Sequence, residues 1–301
     1  MKTILVTGSN GFLGQKITAQ ILSEGDLNLI ATAKDKNRFP TTKGYTYAEM
    51  DILNPQQVKT VIEKYKPDAI IHTAALTNVD VCNTQRDTAY ALNVDATANL
   101  VKLCETQQIH FIYLSTDFVF DGENGPYNET AIPNPISYYG KTKLMAEEFL
   151  INSKAKWTIL RTILVYGVAS DESRSNIVLW AKTALENGNQ ISVINDQWRM
   201  PTLVEDLAIA CLSVVKLKAQ GIYHISGKDM LSIAEIVYKV ADFWELDKSC
   251  ITEVSTAILN QTAKRPCKTG FILDKAMTEL NYKPHSFDQG LAITAKQLQK
   301  S

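Results

Sequence analysis

The sequence predicts an α/β protein in which a doubly wound parallel sheet is joined to a smaller C-terminal lobe. Three observations predict this class. Short apolar runs of strand length alternate with longer helical stretches through residues 1–165, as in consecutive βαβ units. A glycine-rich turn joins the first apolar run to the first helical stretch. The 301 residues also exceed the size of one typical domain, so a second lobe is expected.

The elements follow from local patterns. The first strand, 3–7, is apolar on both faces, as in a buried parallel strand. A helix over 11–23 follows, because Phe12, Ile17 and Ile21 recur at helical spacing. A further helix begins at Pro55, which suits a first helical turn. By the same criteria, strands are predicted at 27–32, 45–50, 68–72, 111–114 and 157–161, and helices at 55–65, 86–107 and 139–151.

Beyond residue 161 the alternation weakens. Helices are predicted at 177–186, 202–216, 232–244 and 274–280, and a strand at 221–226. We expect residues 1–165 to form the sheet domain, with returning segments near 202–230. Residues 166–301 then form mainly the smaller lobe, interleaved with the sheet, and a ligand is expected in the cleft between them.

Composition excludes several function classes. The 31 basic and 32 acidic residues leave a net charge of -1, which argues against nucleic-acid binding. No apolar run approaches the ~18 residues of a membrane span, and the N-terminal apolar stretch is too short for a signal peptide. The five cysteines are widely spaced, which predicts reduced thiols and no metal site. We therefore expect a cytoplasmic protein without membrane or nucleic-acid partners.

The glycine-rich turn has the spacing G-x-x-G-x-x-G, formed by Gly8, Gly11 and Gly14. Glycines at a strand-to-helix turn let the backbone approach a pyrophosphate, which the helix N-terminus then holds electrostatically. The position predicts a dinucleotide-binding, Rossmann-type domain over 1–165. Its contacts in this turn are Gly8, Asn10, Gly11, Phe12, Leu13 and Gly14.

The end of the second strand predicts which dinucleotide binds. An acidic residue there favours NAD, whereas basic residues accommodate the 2′-phosphate of NADP. Ala33 occupies the expected acidic position, and Lys34, Lys36 and Arg38 follow, although Asp35 lies among them. We therefore expect NADP(H) as the preferred cofactor, with NAD(H) possible. The alternative is that the three basic residues form only a solvated loop.

Other cofactor contacts are expected at the ends of the third and fourth strands. Asp51, beside Ile52, is placed to accept from the adenine amino group, although it could equally cap the helix that follows. Ala74 and Ala75 are small enough for the backbone to pass close to the nicotinamide half. His72 is interpreted as a strand-end histidine with a satisfied hydrogen bond.

Tyr139 and Lys143 lie four residues apart, on one face of a predicted helix. They follow Thr116, which stands at the carboxyl end of the fifth strand, where open α/β sheets place ligands. A phenol is a poor acid or base at neutral pH, and a lysine ammonium beside it, together with any cofactor charge, is expected to lower its pKa. Tyr139 would exchange a proton with a carbonyl oxygen while hydride passes between nicotinamide and carbon. Lys143 would bond the nicotinamide ribose, and Thr116 the same oxygen as Tyr139.

These motifs resemble the extended short-chain dehydrogenase/reductase superfamily over essentially the whole chain, and within it the dTDP-4-dehydrorhamnose reductase family. The glycine turn and the Tyr139–Lys143 pair are shared across the superfamily. Other blocks are more specific to the reductases. The resemblance is carried by TGSNGFLG at 7–14, STDFVFDG at 115–122, YGKTK at 139–143, LRTILVYG at 160–167, DQWRMPT at 196–202, and Arg265 with Pro266.

The resemblance implies specific roles. Thr116, Tyr139 and Lys143 would be the catalytic triad, and Asn93 would complete a proton relay. Arginine suits the diphosphate of a nucleotide sugar because its fork binds phosphate oxygens bidentately. The alternative for each arginine is an ion pair at the surface or between lobes. The implied substrate contacts are Asp117, Phe118, Asn176, Arg199, Thr202 and Arg265.

Departures from the family pattern reduce the number of reactions that the protein is expected to catalyse. Leu164 stands where the family often has a sugar-contacting tryptophan, and Arg199 replaces a usual glycine, so the exact sugar stays open. Related dehydratases carry glutamate at the position of Phe118, which disfavours dehydration. No histidine lies where the family's epimerase-reductases need one. A nucleotide-sugar 4-epimerase, which would retain NAD, and a non-catalytic NADP-binding regulatory subunit, resembling that of methionine adenosyltransferase, stay as alternatives.

The sequence thus predicts an NADPH-preferring reductase that acts on the 4-keto group of a nucleotide-linked 6-deoxy sugar. It would supply deoxysugar for cell-surface polysaccharide, as in dTDP-rhamnose biosynthesis. It would act as a monomer or homodimer.

Overall fold

The computed structural model describes residues 1–169, 175–258 and 262–299. Within these ranges, seven strands form one parallel sheet in the order β11-β6-β5-β4-β1-β2-β3. The predicted fold class is confirmed. The strands are β1 (Lys2–Thr7), β2 (Leu27–Ala33), β3 (Thr46–Glu49), β4 (Ala69–His72), β5 (His110–Thr116), β6 (Lys156–Thr162), β7 (Val165–Tyr166), β8 (Ile191–Ile194), β9 (Trp198–Arg199), β10 (Thr202–Leu203), β11 (Gly221–Ile225), β12 (Leu231–Ser232) and β13 (Ile251–Val254).

The helices follow the predicted cadence in the first half of the chain. Two were not predicted, α3 and α11, and capping signals precede both. Asn78 caps α3, and a reciprocal pair between Ser286 and Gln289 caps α11. The helices are α1 (Phe12–Glu24), α2 (Pro55–Tyr65), α3 (Val79–Thr84), α4 (Arg86–Tyr90), α5 (Ala96–Gln107), α6 (Tyr138–Ile151), α7 (Ile177–Glu186), α8 (Val204–Leu217), α9 (Ile233–Phe243), α10 (Asp274–Glu279) and α11 (Phe287–Leu298).

Helices cover both faces of the sheet. Ile4 and Val6 of β1 pack on one face in a cluster with residues of α1 and α8, including Ile17 and Leu207. Leu5, between them, belongs to a second cluster on the opposite face, formed with residues of α2, α5 and α6. Successive side chains of a strand point to opposite faces, so a strand covered on both sides must be apolar throughout.

The C-terminal half contributes to two regions. β11 pairs in parallel with β6 and forms one edge of the sheet, while α8 packs against α1. A third apolar cluster joins α7, α9 and α11 with β8 and β13.

The predicted helix over 86–107 is interrupted. A π-helical segment, Ala91–Asp95, separates α4 from α5. Asn93 lies inside this segment, and its side-chain amide bonds the backbone of Leu76 and the hydroxyl of Thr142. Single π turns within helices often mark functional sites, and this one aims an amide away from the helix that carries it.

Three histidines are buried in neutral form. Burial lowers the pKa of His72 to about 3, of His110 to about 4 and of His224 to about 3. His72 bonds Thr7 through Nδ1 at 2.7 Å and Thr97 through Nε2 at 3.3 Å, so it is the partnered strand-end histidine that the sequence predicted.

These histidines predict that the protein loses stability in mild acid. Above pH 6.5 the imidazole is neutral in both the folded and unfolded states. Below it only the unfolded chain gains the proton, so unfolding becomes more favourable until the folded pKa is reached. For His110, between pH 7.5 and pH 5, this amounts to up to about 2 kcal/mol. Urea unfolding at both pH values should show a smaller loss for His110→Asn than for the wild type. Equal losses in the two proteins would contradict the prediction.

Candidate active site

A cavity of about 840 Å³ opens along the carboxyl ends of the sheet strands, from the glycine turn to the segment that carries Arg265. Most of the predicted site residues line it. Four do not: Gly14, Asn93, Asn176 and Thr202 lie outside the lining. The predicted residues that line the cavity are Gly8, Asn10, Gly11, Phe12, Leu13, Lys34, Asp51, Ile52, Ala74, Ala75, Thr116, Asp117, Phe118, Tyr139, Lys143, Arg199 and Arg265.

The glycine turn is tightly packed against the end of β4. Gly8 has a φ of +68°, and a Cβ there would lie 2.8 Å from the backbone nitrogen of Ala74. The amide of Gly11 donates to the carbonyl of Gly8 at 2.7 Å, and α1 begins at the next residue. Gly14 serves packing, because a Cβ would lie 2.4 Å from the Gly8 carbonyl. The turn therefore presents the N-terminus of α1 to the cavity, a geometry that fits a pyrophosphate.

The basic loop after β2 forms one end of the cavity. Lys34 lies 3.5 Å from the carboxylate of Asp51, and Arg38 also lines the wall. Asp51 accepts from the amide of Leu53 at 2.9 Å, whereas the cap of α2 is Asn54. Asp51 therefore closes a local turn and still faces the cavity.

Gly140 explains how Tyr139 reaches the cavity. A Cβ at Gly140 would lie 2.1 Å from the carbonyl oxygen of Phe118, so only glycine allows α6 to approach the turn after β5 this closely. This approach places the ring of Tyr139 at 5.8 Å from the ring of Phe118, edge to face. It also brings the Thr116 hydroxyl close enough to act on the pKa of the Tyr139 phenol.

Lys143 is almost completely buried, with 3% of its surface exposed. Its Nζ lies 4.1 Å from the centroid of the Tyr113 ring. Burial lowers the pKa of Lys143 to about 7, and the carboxylate of Glu147, one helical turn further on, opposes this shift. The side-chain amine of Lys143 can therefore gain or lose a proton near neutral pH.

The expectation that the pKa of Tyr139 is lowered is wrong for this form of the protein. Burial raises the pKa of Tyr139, and the negative charge of Asp117 raises it further. The Thr116 hydroxyl lowers the pKa, but its effect is smaller than that of burial. The reason is that a phenolate without water around it is costly, and a lysine whose own pKa is near neutrality supplies little compensating charge.

A buried ion pair anchors α6 to the sheet. Arg161 of β6 donates to both carboxylate oxygens of Glu147, at 3.0 and 2.6 Å, and both side chains are at most 1% exposed. Ser115, the neighbour of Thr116 on β5, donates to the same carboxylate at 2.5 Å. The helix that carries Tyr139 and Lys143 is therefore tied to the two strands beside it.

Asn93 contacts this helix without facing the cavity. Its Nδ2 donates to the Thr142 hydroxyl at 3.1 Å and to the Leu76 carbonyl at 3.0 Å, while its Oδ1 accepts from the Leu76 amide at 2.9 Å. The geometry assigns it a positioning role between the loop after β4 and α6. Its predicted place in a proton relay stays a prediction.

Asp117 and Arg199 form a buried polar centre on the other side of Thr116. Asp117 accepts from Thr116 at 3.0 Å and from Thr269 at 2.5 Å, and the Arg199 Nε lies 3.8 Å away. Arg199 also donates to the carbonyl of Pro266 at 2.7 Å. Burial raises the pKa of Asp117, and Arg199 opposes the rise. Arg199 therefore clasps the 266–269 segment as well as lining the cavity.

The remaining predicted substrate contacts have protein partners. Arg265 donates to Asp80 of α3 at 2.6 Å, so an ion pair joins the segment around Arg265 to α3. Asn176 caps α7 and donates to the Gly167 carbonyl at 2.8 Å. The Thr202 hydroxyl donates to the Ile163 carbonyl at 2.6 Å.

Leu164, at the position where the family often has a sugar-contacting tryptophan, lines the cavity with a φ of +38°, a conformation that leucine rarely adopts and that concentrates at functional sites. Other lining residues were missed by the sequence argument. No local signal marks them, because they reach the cavity through tertiary packing. They include Thr73, Thr77, Leu92, Gln197 and Ile233.

Three further observations concern the described residues. All five cysteines are free thiols, and Cys267 alone is exposed. No group of three or more His, Cys, Asp or Glu side chains in these ranges could hold a metal ion. Nor does any helix within them have the length and apolar character needed to cross a membrane.

Comparisons with known proteins agree with this geometry. Residues 1–300 match the model of the RmlD substrate binding domain family. The β subunit of methionine adenosyltransferase 2 from Xenopus laevis is 31% identical over 266 residues, covering 86% of this chain and 77% of that protein. The probable low-salt glycan biosynthesis reductase Agl14 of Haloferax volcanii is 27% identical over 289 residues, 95% of each chain.

A solved structure extends the comparison. The dTDP-4-dehydrorhamnose reductase of Bacillus anthracis str. Ames, in complex with NADP, superposes with a TM-score of 0.84 at 27% identity, covering 98% of this chain and 99% of that one. The family match spans nearly the whole chain, and the predicted resemblance is confirmed. This protein is a member of the RmlD substrate binding domain family and has the fold of the extended short-chain dehydrogenase/reductase superfamily.

Proposed function

We propose that this protein reduces the 4-keto group of a nucleotide-linked 6-deoxy sugar with NADPH. The observation that carries the proposal is the convergence of Thr116, Tyr139 and Lys143 on a cavity that begins at a pyrophosphate-binding turn. Residues 1–165, with returning segments near 202–230, would hold the cofactor, and residues 166–301 mainly the sugar nucleotide. The likeness to reductases supports the same reaction class.

The burial of Tyr139 suits reduction. A bound reduced nicotinamide supplies the hydride when it lies against the carbonyl carbon. Reduction requires a proton donor at the carbonyl oxygen, and a raised pKa keeps Tyr139 protonated at neutral pH. Thr116 would donate a second hydrogen bond to that oxygen once its hydroxyl turns away from Asp117, to which it otherwise donates. Tyr139 would regain its proton from solvent after each cycle, and Lys143, with a pKa of about 7, would serve as the relay.

The sugar nucleotide is proposed to bind between the β5 turn and the segment around Arg265. Phe118 and Asp117 would contact the sugar, and Arg265 the diphosphate. Arg199 also lines the cavity and would assist Arg265 in binding the diphosphate. Asn176 and Thr202 would contribute to substrate binding indirectly, by fixing the loops that they contact. Arg265 has to share its guanidinium between the diphosphate and Asp80, which its several donors allow.

The basic loop predicts that NADPH binds more tightly than NADH. Arg38 lines the cavity beside Lys34, and a charge-assisted bond to a 2′-phosphate is worth enough for a roughly 10-fold difference in Kd. Arg38→Ala should therefore weaken NADPH binding about 10-fold and leave NADH binding unchanged, as measured by fluorescence titration. Lys43→Ala removes an exposed lysine of the same loop and serves as the control for net charge. Equal weakening of both cofactors by Arg38→Ala would contradict the prediction.

Transfer of deuterium tests the reaction itself. With NADPH that carries deuterium at both C4 positions and dTDP-4-dehydro-6-deoxy-L-mannose, we expect one deuterium at C4 of the product sugar, detected by NMR. A 4-epimerase would instead interconvert 4-hydroxy sugars with no net cofactor oxidation. Product without the label at C4 would exclude the proposed reduction.

A second candidate follows from the 31% identity to a methionine adenosyltransferase β subunit. Such a protein would bind the cofactor and associate with a partner enzyme without turnover. The intact Thr116, Tyr139 and Lys143 favour catalysis. Analytical ultracentrifugation with a methionine adenosyltransferase would support the second candidate if a complex formed and no keto sugar were reduced.

A further inference from the structure

Asn10 links the glycine turn to the basic loop that follows β2. Its Nδ2 donates to the carbonyl of Lys36 at 2.8 Å, and its Oδ1 accepts from the amide of Arg38 at 2.9 Å. Asn10 is buried, with 9% of the residue's surface exposed. One amide therefore holds the backbone on both sides of residue 37, more than 25 residues away in sequence.

Tyr47 of β3 and Tyr45, directly before this strand, hold the rest of the loop. The Tyr47 hydroxyl accepts from Asn10 Nδ2 at 3.3 Å and donates to the Asp35 carbonyl. Tyr45 accepts from the Asn37 side chain at 2.7 Å and donates to the Thr41 carbonyl at 2.7 Å. Of these contacts, only those of Asn10 connect the loop to the glycine turn.

The loop is built as a small pocket with mixed charge. It is lined by Lys34, Asp35, Lys36, Asn37, Arg38 and Glu49, and it shares Lys34, Asp35 and Arg38 with the main cavity. An anion is favoured there only if the backbone directs the basic side chains inward and keeps Asp35 and Glu49 aside. A loop that is not fixed beforehand would have to be ordered by the ligand, at the expense of affinity.

We infer that Asn10 is a positioning residue that sets the preference for a 2′-phosphorylated adenosine by fixing the backbone at Lys36 and Arg38. The inference rests on the proposed use of NADPH and names a residue that controls it. Asparagine is needed because the two bonds require one donor and one acceptor on the same small side chain. Aspartate would keep the bond from the Arg38 amide but would place a carboxylate oxygen against the Lys36 carbonyl.

Isothermal titration with two adenosine nucleotides tests the inference without any sugar substrate. Adenosine 2′,5′-bisphosphate and 5′-AMP differ only in the 2′-phosphate, so the ratio of their Kd values isolates that group. We expect the wild type to bind the bisphosphate at least 10-fold more tightly. Asn10→Ala should reduce this ratio at least 5-fold, and Asn10→Asp should reduce it as well. Lys43→Ala should keep the wild-type ratio, and thermal unfolding of each variant checks that the fold is retained.

The outcomes separate the two proposals. A wild-type ratio near one would overturn the NADPH preference and, with it, the role of Asn10. A high ratio in the wild type that Asn10→Ala retains would overturn the role of Asn10 alone. Equal weakening of both nucleotides by Asn10→Ala would also overturn it, because Asn10 would then act at the part of the site common to both cofactors.

Discussion

Replacing Tyr139 by phenylalanine should lower kcat/KM for the keto sugar by 10²- to 10⁴-fold, the range that a positioned proton donor contributes. The substitution removes only the hydroxyl, so the ring keeps its packing against Phe118. Binding of NADPH should stay within a factor of about 3, because the glycine turn and the basic loop are unchanged. Steady-state kinetics together with a cofactor titration measure both quantities.

Tyr138→Phe is the matched control. Tyr138 precedes Tyr139 in the same helix, but its ring lies 5.0 Å from the guanidinium of Arg86, and it does not line the cavity. The control should retain at least half of the wild-type kcat/KM. If both variants kept their activity, Tyr139 would not be the proton donor, and the proposed chemistry of the site would be wrong.

Replacing Glu147 by alanine should lower the free energy of unfolding by 3–5 kcal/mol, the usual cost of leaving one partner of a buried ion pair alone. Arg161 would then hold a charge at 1% exposure without its two bonds to the carboxylate. Ser115 would lose its acceptor as well. Urea unfolding followed by circular dichroism measures the loss, provided that the slope of the transition is unchanged.

The next residue of the same helix provides the control. Glu148 is exposed, and Glu148→Ala should change the free energy of unfolding by less than about 0.5 kcal/mol. Combining Glu147→Leu with Arg161→Met removes both charges, so this pair should recover much of the loss. A loss below 1 kcal/mol for Glu147→Ala would show that the pair does not anchor α6.

The sheet domain could be predicted because its signals are local. Strands such as β1 are apolar throughout since helices cover both faces, and Gly8, Gly11 and Gly14 mark the first turn by their spacing alone. The place of Tyr139 also followed from local order, because the carboxyl end of β5 precedes α6 in the chain. The role of Gly140 was visible only once the carbonyl of Phe118 was seen beside it.

The C-terminal half of the chain was harder to predict because its contacts join residues that are distant in sequence. β9 and β10 have two residues each, too few for any period to be recognised. The partner of Asp117 at Thr269 is 152 residues away, and the partner of Arg265 at Asp80 is 185 residues away. The groups that pair with Arg199 and Arg265 therefore could not be inferred from residue type. The same holds for the pKa of Tyr139, which depends on burial rather than on its spacing from Lys143.

The proposed reduction can be measured as NADPH oxidation when dTDP-4-dehydro-6-deoxy-L-mannose is added to the purified protein, with NADH in parallel. We expect saturable oxidation that is faster with NADPH and at least about 10²-fold slower in Tyr139→Phe. Saturable NADPH binding with no oxidation of either cofactor would contradict the proposed reduction. The site would then serve another keto sugar or a regulatory role.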